Sequence, residues 1–146
     1  MRPLRLVVLF ALLALLAFGA LTAEAAPVRI QANLSGAAEV PGPGDPDGTG
    51  YALFTVDPAN GSVCYRLYAS AIAPATAAHI HRGAVGVAGP VVVPLQPPTN
   101  GASFACAQVS LVLASEIATY PSRFYVNVHN AQYPAGAIRG QLRSSP

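Results

Sequence analysis

Residues 77–83 read Ala-Ala-His-Ile-His-Arg-Gly, and residues 124–129 read Phe-Tyr-Val-Asn-Val-His. Successive side chains of an extended strand point to opposite faces, so His79 and His81 share one face and Ile80 takes the other. The second stretch alternates in the same way and sets Tyr125, Asn127 and His129 on one face. All three histidines of the chain therefore fall in strand-like runs. Apolar residues recurring at every second position are the mark of a half-buried strand.

The same period appears on either side. Val28 to Leu34 alternates and ends at Ser35-Gly36, and Ala37 to Val40 reads as a short edge piece stopped by Pro41. Pro41 to Gly50 is dense in proline and glycine and reads as an exposed loop. Tyr51 to Val56 and Ser62 to Ala69 form strands around Asp57-Pro-Ala-Asn-Gly61, with Gly61 available for a positive φ. On the second of these, Val63, Tyr65 and Leu67 share one face, and Cys64, Arg66 and Tyr68 the other. Val91 to Leu95 is an apolar strand that Pro94 confines to an edge or an end. Ser103 to Val112 is a further strand candidate. Leu113 to Tyr120 is the one plausible helix beyond the N-terminal region, ended by Pro121. Arg123 to His129 and Ala137 to Leu142 complete the series around a turn that contains Gly136. Turn signals every eight to twelve residues predict an all-β, antiparallel, Greek-key-like β-sandwich. About eight short strands are expected, with at most one short helix near residues 113–120.

The chain has 146 residues. Arg2 and Arg5 precede an uncharged apolar run from Leu6 to Leu21, and Ala23-Glu24-Ala25 supplies the small-x-small pattern of a signal-peptidase site. Residues 1–25 are expected to be a cleaved signal peptide, and 26–146 one domain in the secreted or periplasmic space. An uncleaved anchor is the competing reading, because Leu6 to Ala23 is near spanning length; the cleavage pattern favours removal and leaves no membrane association. Residues 26–146 carry Arg29, Arg66, Arg82, Arg123, Arg139 and Arg143 against Glu39, Asp45, Asp47, Asp57 and Glu116, with no lysine. Scattered arginines on a near-neutral chain offer no basic stripe for a phosphate backbone, so nucleic acid is not an expected partner. Cys64 and Cys106 lie in the exported part, where thiols oxidise, and one disulfide between them is the simplest reading. A Cys/His metal site would need close ligand pairs such as C-x-x-C, which neither cysteine has.

In order along the chain stand Leu34-Ser-Gly36, Glu39-Val-Pro41, Gly50-x-Ala52-x-Phe54, Cys64-Tyr65 and Ala78-His-Ile-His-Arg-Gly83-x-x-Gly86-x-x-Gly89-Pro90. Phe124-Tyr-Val-Asn-Val-His129 and Tyr133-Pro-x-Gly136-x-Ile138-Arg-Gly-Gln-Leu142 follow. Through these motifs the chain resembles the CHRD domain, the module first named from chordin and also found in exported bacterial proteins. One departure is Gly42, where the family often has a second proline after Glu39-Val-Pro41. The resemblance implies an all-β, sandwich-like exported domain and brings no assigned chemistry with it. In chordin the domain belongs to an extracellular antagonist of growth factors, and carrying that role over would be analogy of fold alone.

An H-x-H pair on a strand holds its Cα atoms about 6–7 Å apart, close enough to share an ion with a third ligand from a neighbouring strand. His129 is the natural third ligand. Neutral imidazole suits copper and zinc, and three nitrogens leave a coordination position open. Copper/zinc superoxide dismutases resemble this in carrying H-x-H strands on a Greek-key sandwich, but they need further histidines that this chain lacks. The alternative is structural: a buried imidazole can bridge strands by donating to a carbonyl and accepting from Asn127 or Arg139.

Arg139 is expected to clamp Glu39 or a loop carbonyl. Tyr65, Tyr125 and Tyr133 read as core or cross-strand residues. Gly83, Gly86 and Gly89 read as turn glycines, since no helix or lysine follows to make a phosphate loop. Glu39, His81 and Arg139 lack the second carboxylate or activated nucleophile that acid–base catalysis requires, and no G-x-S-x-G accompanies the serines. These residues favour a non-catalytic binding or structural module that presents the Pro41–Gly50 and Arg82–Gly89 loops to an extracytoplasmic protein or surface partner. A mononuclear copper or zinc site at His79, His81 and His129 is the alternative, with Asn127, Arg139, Glu39 and Tyr125 around it.

Overall fold

The computed structural model describes residues 25–146. The expected signal peptide lies outside the described residues, apart from Ala25. Among the described residues nine strands follow in chain order: β1 (Val28–Ser35), β2 (Thr49–Asp57), β3 (Ser62–Ser70), β4 (Ala75–Arg82), β5 (Val91–Leu95), β6 (Ala102–Gln108), β7 (Phe124–Asn130), β8 (Ile138–Gln141) and β9 (Arg143–Ser144). One helix, α1 (Leu111–Thr119), joins β6 to β7.

All the strands pair antiparallel in one sheet of order β5-β4-β7-β8-β1-β2-β3-β6, with β9 paired to β1. The connections β3–β4, β5–β6 and β6–β7 cross between the two halves of this order, which is the Greek-key-like feature expected from the sequence. The sheet curls until its ends nearly meet. There the N–H of Gln96, just past β5, donates to the Tyr65 hydroxyl at 2.7 Å, and Ser103 Oγ of β6 donates to the Gln96 carbonyl at 2.8 Å.

Alternation explains which face turns inward. Ile30, Ala32 and Leu34 of β1 pack with Phe54 and Val56 of β2, Val63, Tyr65 and Leu67 of β3, Ile80 of β4, and Val126 and Val128 of β7. Ala114 and Ile117 of α1 join the same core. Fully burying one such aliphatic side chain contributes about 1.5–3 kcal/mol. Cys64 and Cys106 stand directly opposite one another on β3 and β6 and are joined by a disulfide.

Three local expectations differ from the structure. Residues Gly36–Ala38 form a 3-10 turn rather than an edge strand. The β6 strand ends at Gln108 and the helix starts at Leu111, because the Ser110 side chain accepts from the Leu113 N–H at 3.2 Å and caps the helix there. The Pro41–Gly50 loop is not wholly exposed: Gly44, Asp45 and Gly48 are buried, and Asp45 N–H donates to the Ala137 carbonyl at 2.8 Å.

The disulfide spans 42 residues of sequence, so its loss frees the unfolded chain by about 4 kcal/mol in the loop-closure treatment. A C64S/C106S variant is expected to unfold at a clearly lower urea midpoint than the oxidised wild type. Equal midpoints in urea titrations followed by circular dichroism would contradict this.

Candidate metal centre

The register of β4 against β7 puts His79 opposite Asn127, His81 opposite Tyr125 and Ala77 opposite His129. On β8, Arg139 pairs with Asn127 and Gln141 with Tyr125. All of these side chains share the face that points away from Ile80 and Val126. An outward face would normally be wet, but β7 is buried along nearly its whole length on both sides. The covers are the segment after β1, pinned at Asp45, and the Gly83–Pro90 loop.

The three imidazoles converge there, with one ligand nitrogen from each lying within 4.8 Å of the others. Two rings are aimed by backbone carbonyls. His81 Nδ1 lies 2.8 Å from the Gly89 carbonyl, and His129 Nδ1 lies 3.1 Å from the Pro134 carbonyl. A carbonyl only accepts, so each Nδ1 carries the proton and each Nε2 is left with its lone pair. His81 Nε2 is buried and has no hydrogen-bond partner. His129 Nε2 meets His79 Nδ1 at 3.2 Å and Asn127 Oδ1 at 3.1 Å. With His129 in that tautomer, the one proton available to this group is on His79 Nδ1. Several electron-pair donors thus crowd a small space, an arrangement that could hold a cation.

Burial, reinforced by the neighbouring imidazoles, holds His79 below the ordinary histidine value. Burial does the same for His129, outweighing the opposing effect of the Pro134 carbonyl, and His81 adds a lesser lowering. His79 and His129 are therefore neutral at neutral pH, the form in which imidazole ligates a metal.

Tyr125 lies between His81 and Arg139. Its ring stacks on His81 at 4.8 Å between centroids and 10° between planes, and the Arg139 guanidinium sits 3.4 Å from its other side. Arg139 is buried, and its Nη2 donates to the Ala84 and Val87 carbonyls at 3.0 and 2.9 Å. It clamps the same loop whose Gly89 carbonyl aims His81. Gly89 also donates its N–H to the Tyr125 hydroxyl at 3.1 Å. A Cβ on Gly89 would collide with the Arg82 carbonyl, so glycine is required by close approach. Gly83 also belongs to this turn, and Gly86 takes a φ of +77° in open space.

Behind Asn127 lies Glu39. Burial pushes its carboxyl up to about 7, against the lesser opposing effects of the Arg139 charge, the Val40 N–H and the Asn127 side chain. Glu39 Oε1 and Arg139 Nη1 are buried without partners. A Cβ on Gly136 would overlap the Glu39 carboxylate, so that glycine makes room for the acid.

The sequence reading passes over Gln141, whose Nε2 donates to the Gly83, Ser122 and Phe124 carbonyls at 2.7–2.8 Å and ties the loop to β7. Its position in the row of His81 and Tyr125 was the available signal. The Gly89 and Pro134 carbonyls carry no side-chain signature and could not be found by residue type. Tyr65 and Tyr125 are buried, while Tyr133 is half-buried.

Residues 30–142 match the family model of the CHRD domain. The chain belongs to that family. The match takes in the strands β2 to β8, most of β1, and every residue of the histidine cluster and its surroundings. No curated protein and no solved structure matches the chain. Among the described residues of this CHRD domain, no helix is long and apolar enough to cross a membrane.

The Glu39 carboxyl has a testable signature. Its pKa of about 7 stands above the ordinary 4.5, so the folded state keeps the proton over a range where the unfolded state has lost it. Its contribution is complete below the ordinary value and disappears as pH rises through about 7. The stability of the wild type minus that of E39Q is expected to fall across this window in denaturant titrations. A flat difference would show a carboxyl that titrates normally.

Proposed function

We propose that this CHRD domain is an exported, non-catalytic binding module whose ligand is one copper or zinc ion held by His79, His81 and His129. The observation that carries this reading is His81 Nε2: a buried lone pair without a hydrogen-bond partner, beside two further imidazoles. Burying a polar atom unsatisfied costs free energy, and a metal ion removes that cost. The carbonyl partners of His81 and His129 support it further, since ligating histidines commonly donate their other N–H to such groups. Copper and zinc fit three neutral nitrogens, and Asn127 Oδ1 stands next to the third. Bound there, the ion supplies Lewis acidity and, if it is copper, redox capacity. The chain itself holds and orients the three nitrogens.

The disulfide is compatible with an oxidising compartment. Cleavage after Ala25 by signal peptidase accounts for how the domain reaches it, and the exported product then begins at Ala26. The exposed Ala84–Ala88 segment, which roofs the cluster, is the surface such a module offers a partner.

Metal-free protein titrated with copper(II) or zinc(II) in a calorimeter is expected to bind one equivalent. Free metal at one hundred times Kd should stabilise the fold by about 2.7 kcal/mol. H81A is expected to weaken binding at least about a hundredfold while leaving the fold intact, because more is lost than when an outer partner is removed. Absence of saturable binding to either ion, or unchanged affinity in H81A, would refute the assignment and leave a metal-free module.

A further inference from the structure

The half of the sheet away from the histidines carries an unexplained concentration of positive charge. Pairing aligns Arg143, Gln31, Leu53, Arg66 and Phe104 in one row across β9, β1, β2, β3 and β6. The adjacent row on the same outward face holds Arg29, Thr55, Cys64 and Cys106. Three of the arginines of the domain, Arg29, Arg66 and Arg143, are thus exposed on a single face. The other three are engaged elsewhere: Arg82 pairs with Glu116, Arg123 lies over Tyr120, and Arg139 is buried in the histidine surroundings.

Among the described residues no side-chain carboxylate balances this face. Asp57 is the one acid on these strands, and it stands at the hairpin end. Its Oδ1 accepts from Ala59 N–H at 3.0 Å and its Oδ2 from Asn60 Nδ2 at 2.8 Å. Among the described residues Arg82–Glu116 is the sole ion pair, so Arg29 and Arg66 have no anionic partner. Arg29 and Arg66 line one open cavity of about 450 Å³ together with Leu53, Thr55 and Cys64. The cavity places two guanidinium forks and a hydroxyl donor around a common space, over a floor of sheet and disulfide.

We infer that this cavity is a binding site for a tetrahedral oxyanion, a phosphate or sulfate group, engaged by Arg29 and Arg66 together. Guanidinium groups match such oxyanions through paired charge-assisted hydrogen bonds, and Thr55 Oγ adds a neutral donor. A planar monocarboxylate satisfies one fork and leaves the other without a partner, so the tetrahedral ligand with oxygens on several sides is the better fit. The site lies on the opposite half of the sheet from His79, His81 and His129 and is independent of any metal there.

The test follows backbone amide shifts of the ¹⁵N-labelled, metal-free domain as inorganic phosphate, sulfate or acetate is added at constant ionic strength. Saturable shifts at residues 53–55 and 64–66 with phosphate and sulfate, weaker by about tenfold or more with acetate, are expected. R29A/R66A should lose saturation, whereas R123A should bind as the wild type does. The disulfide-linked sheet can be verified in the same spectra, so loss of binding is separable from loss of fold. Absence of saturable shifts, shifts centred on residues 79, 81 and 129, or unchanged binding in R29A/R66A would overturn the inference.

Discussion

The antiparallel register between β4 and β7 is the constraint on which the rest depends. It sets Ile80 against Val126 on the core side and His79 against Asn127 on the other. A slip of β4 by one residue would exchange its two faces, burying imidazoles among Phe54, Val56 and Leu67 and exposing Ile80. The free energy of the aliphatic core therefore holds the histidines in place. The same register extends to β8, so Arg139 and Gln141 arrive beside Asn127 and Tyr125 without further design.

Register alone would leave three wet histidines on a sheet surface. The covering segments convert that surface into a site. Arg139 and Gln141 hold the Gly83–Pro90 loop down through its carbonyls, and the loop returns the Gly89 carbonyl to His81. The turn after β7 brings the Pro134 carbonyl to His129 in the same manner. Polar side chains thus position backbone, and backbone sets the protonation pattern of the rings. Glu39 sits at the back of this network as a buried acid whose ionisation is disfavoured, close to an arginine already committed to two carbonyls.

The fold was legible in the sequence because its signals are local. Period-two alternation, proline at Pro41 and Pro121, and glycine at Gly61 marked most strands and turns within a residue or two. The helix start was misplaced because Ser110 belongs equally well to the end of a strand and to a cap, and only the Leu113 N–H decides. The meeting of His79, His81 and His129 is also legible, since alternation sets His79 with His81 and His129 with Asn127 and Tyr125, and a single pairing brings them together. What could not be read was the cover. Burial of β7 on both faces arises from loops distant in sequence, and the carbonyls of Gly89 and Pro134 have no side-chain signature. Arg139 reads in the sequence as a clamp on Glu39 or a loop carbonyl; its bonds go to the loop carbonyls of Ala84 and Val87, and its charge acts on Glu39 without a direct bond.

The central claim is that backbone carbonyls fix His81 and His129 as Nδ1–H tautomers and leave each Nε2 with its lone pair. Long-range ¹H–¹⁵N correlation spectra of the imidazole rings in metal-free protein at neutral pH measure this directly. The account predicts the Nδ1–H tautomer for both rings, with Nε2 unprotonated. Finding either ring protonated at Nε2 alone would contradict it.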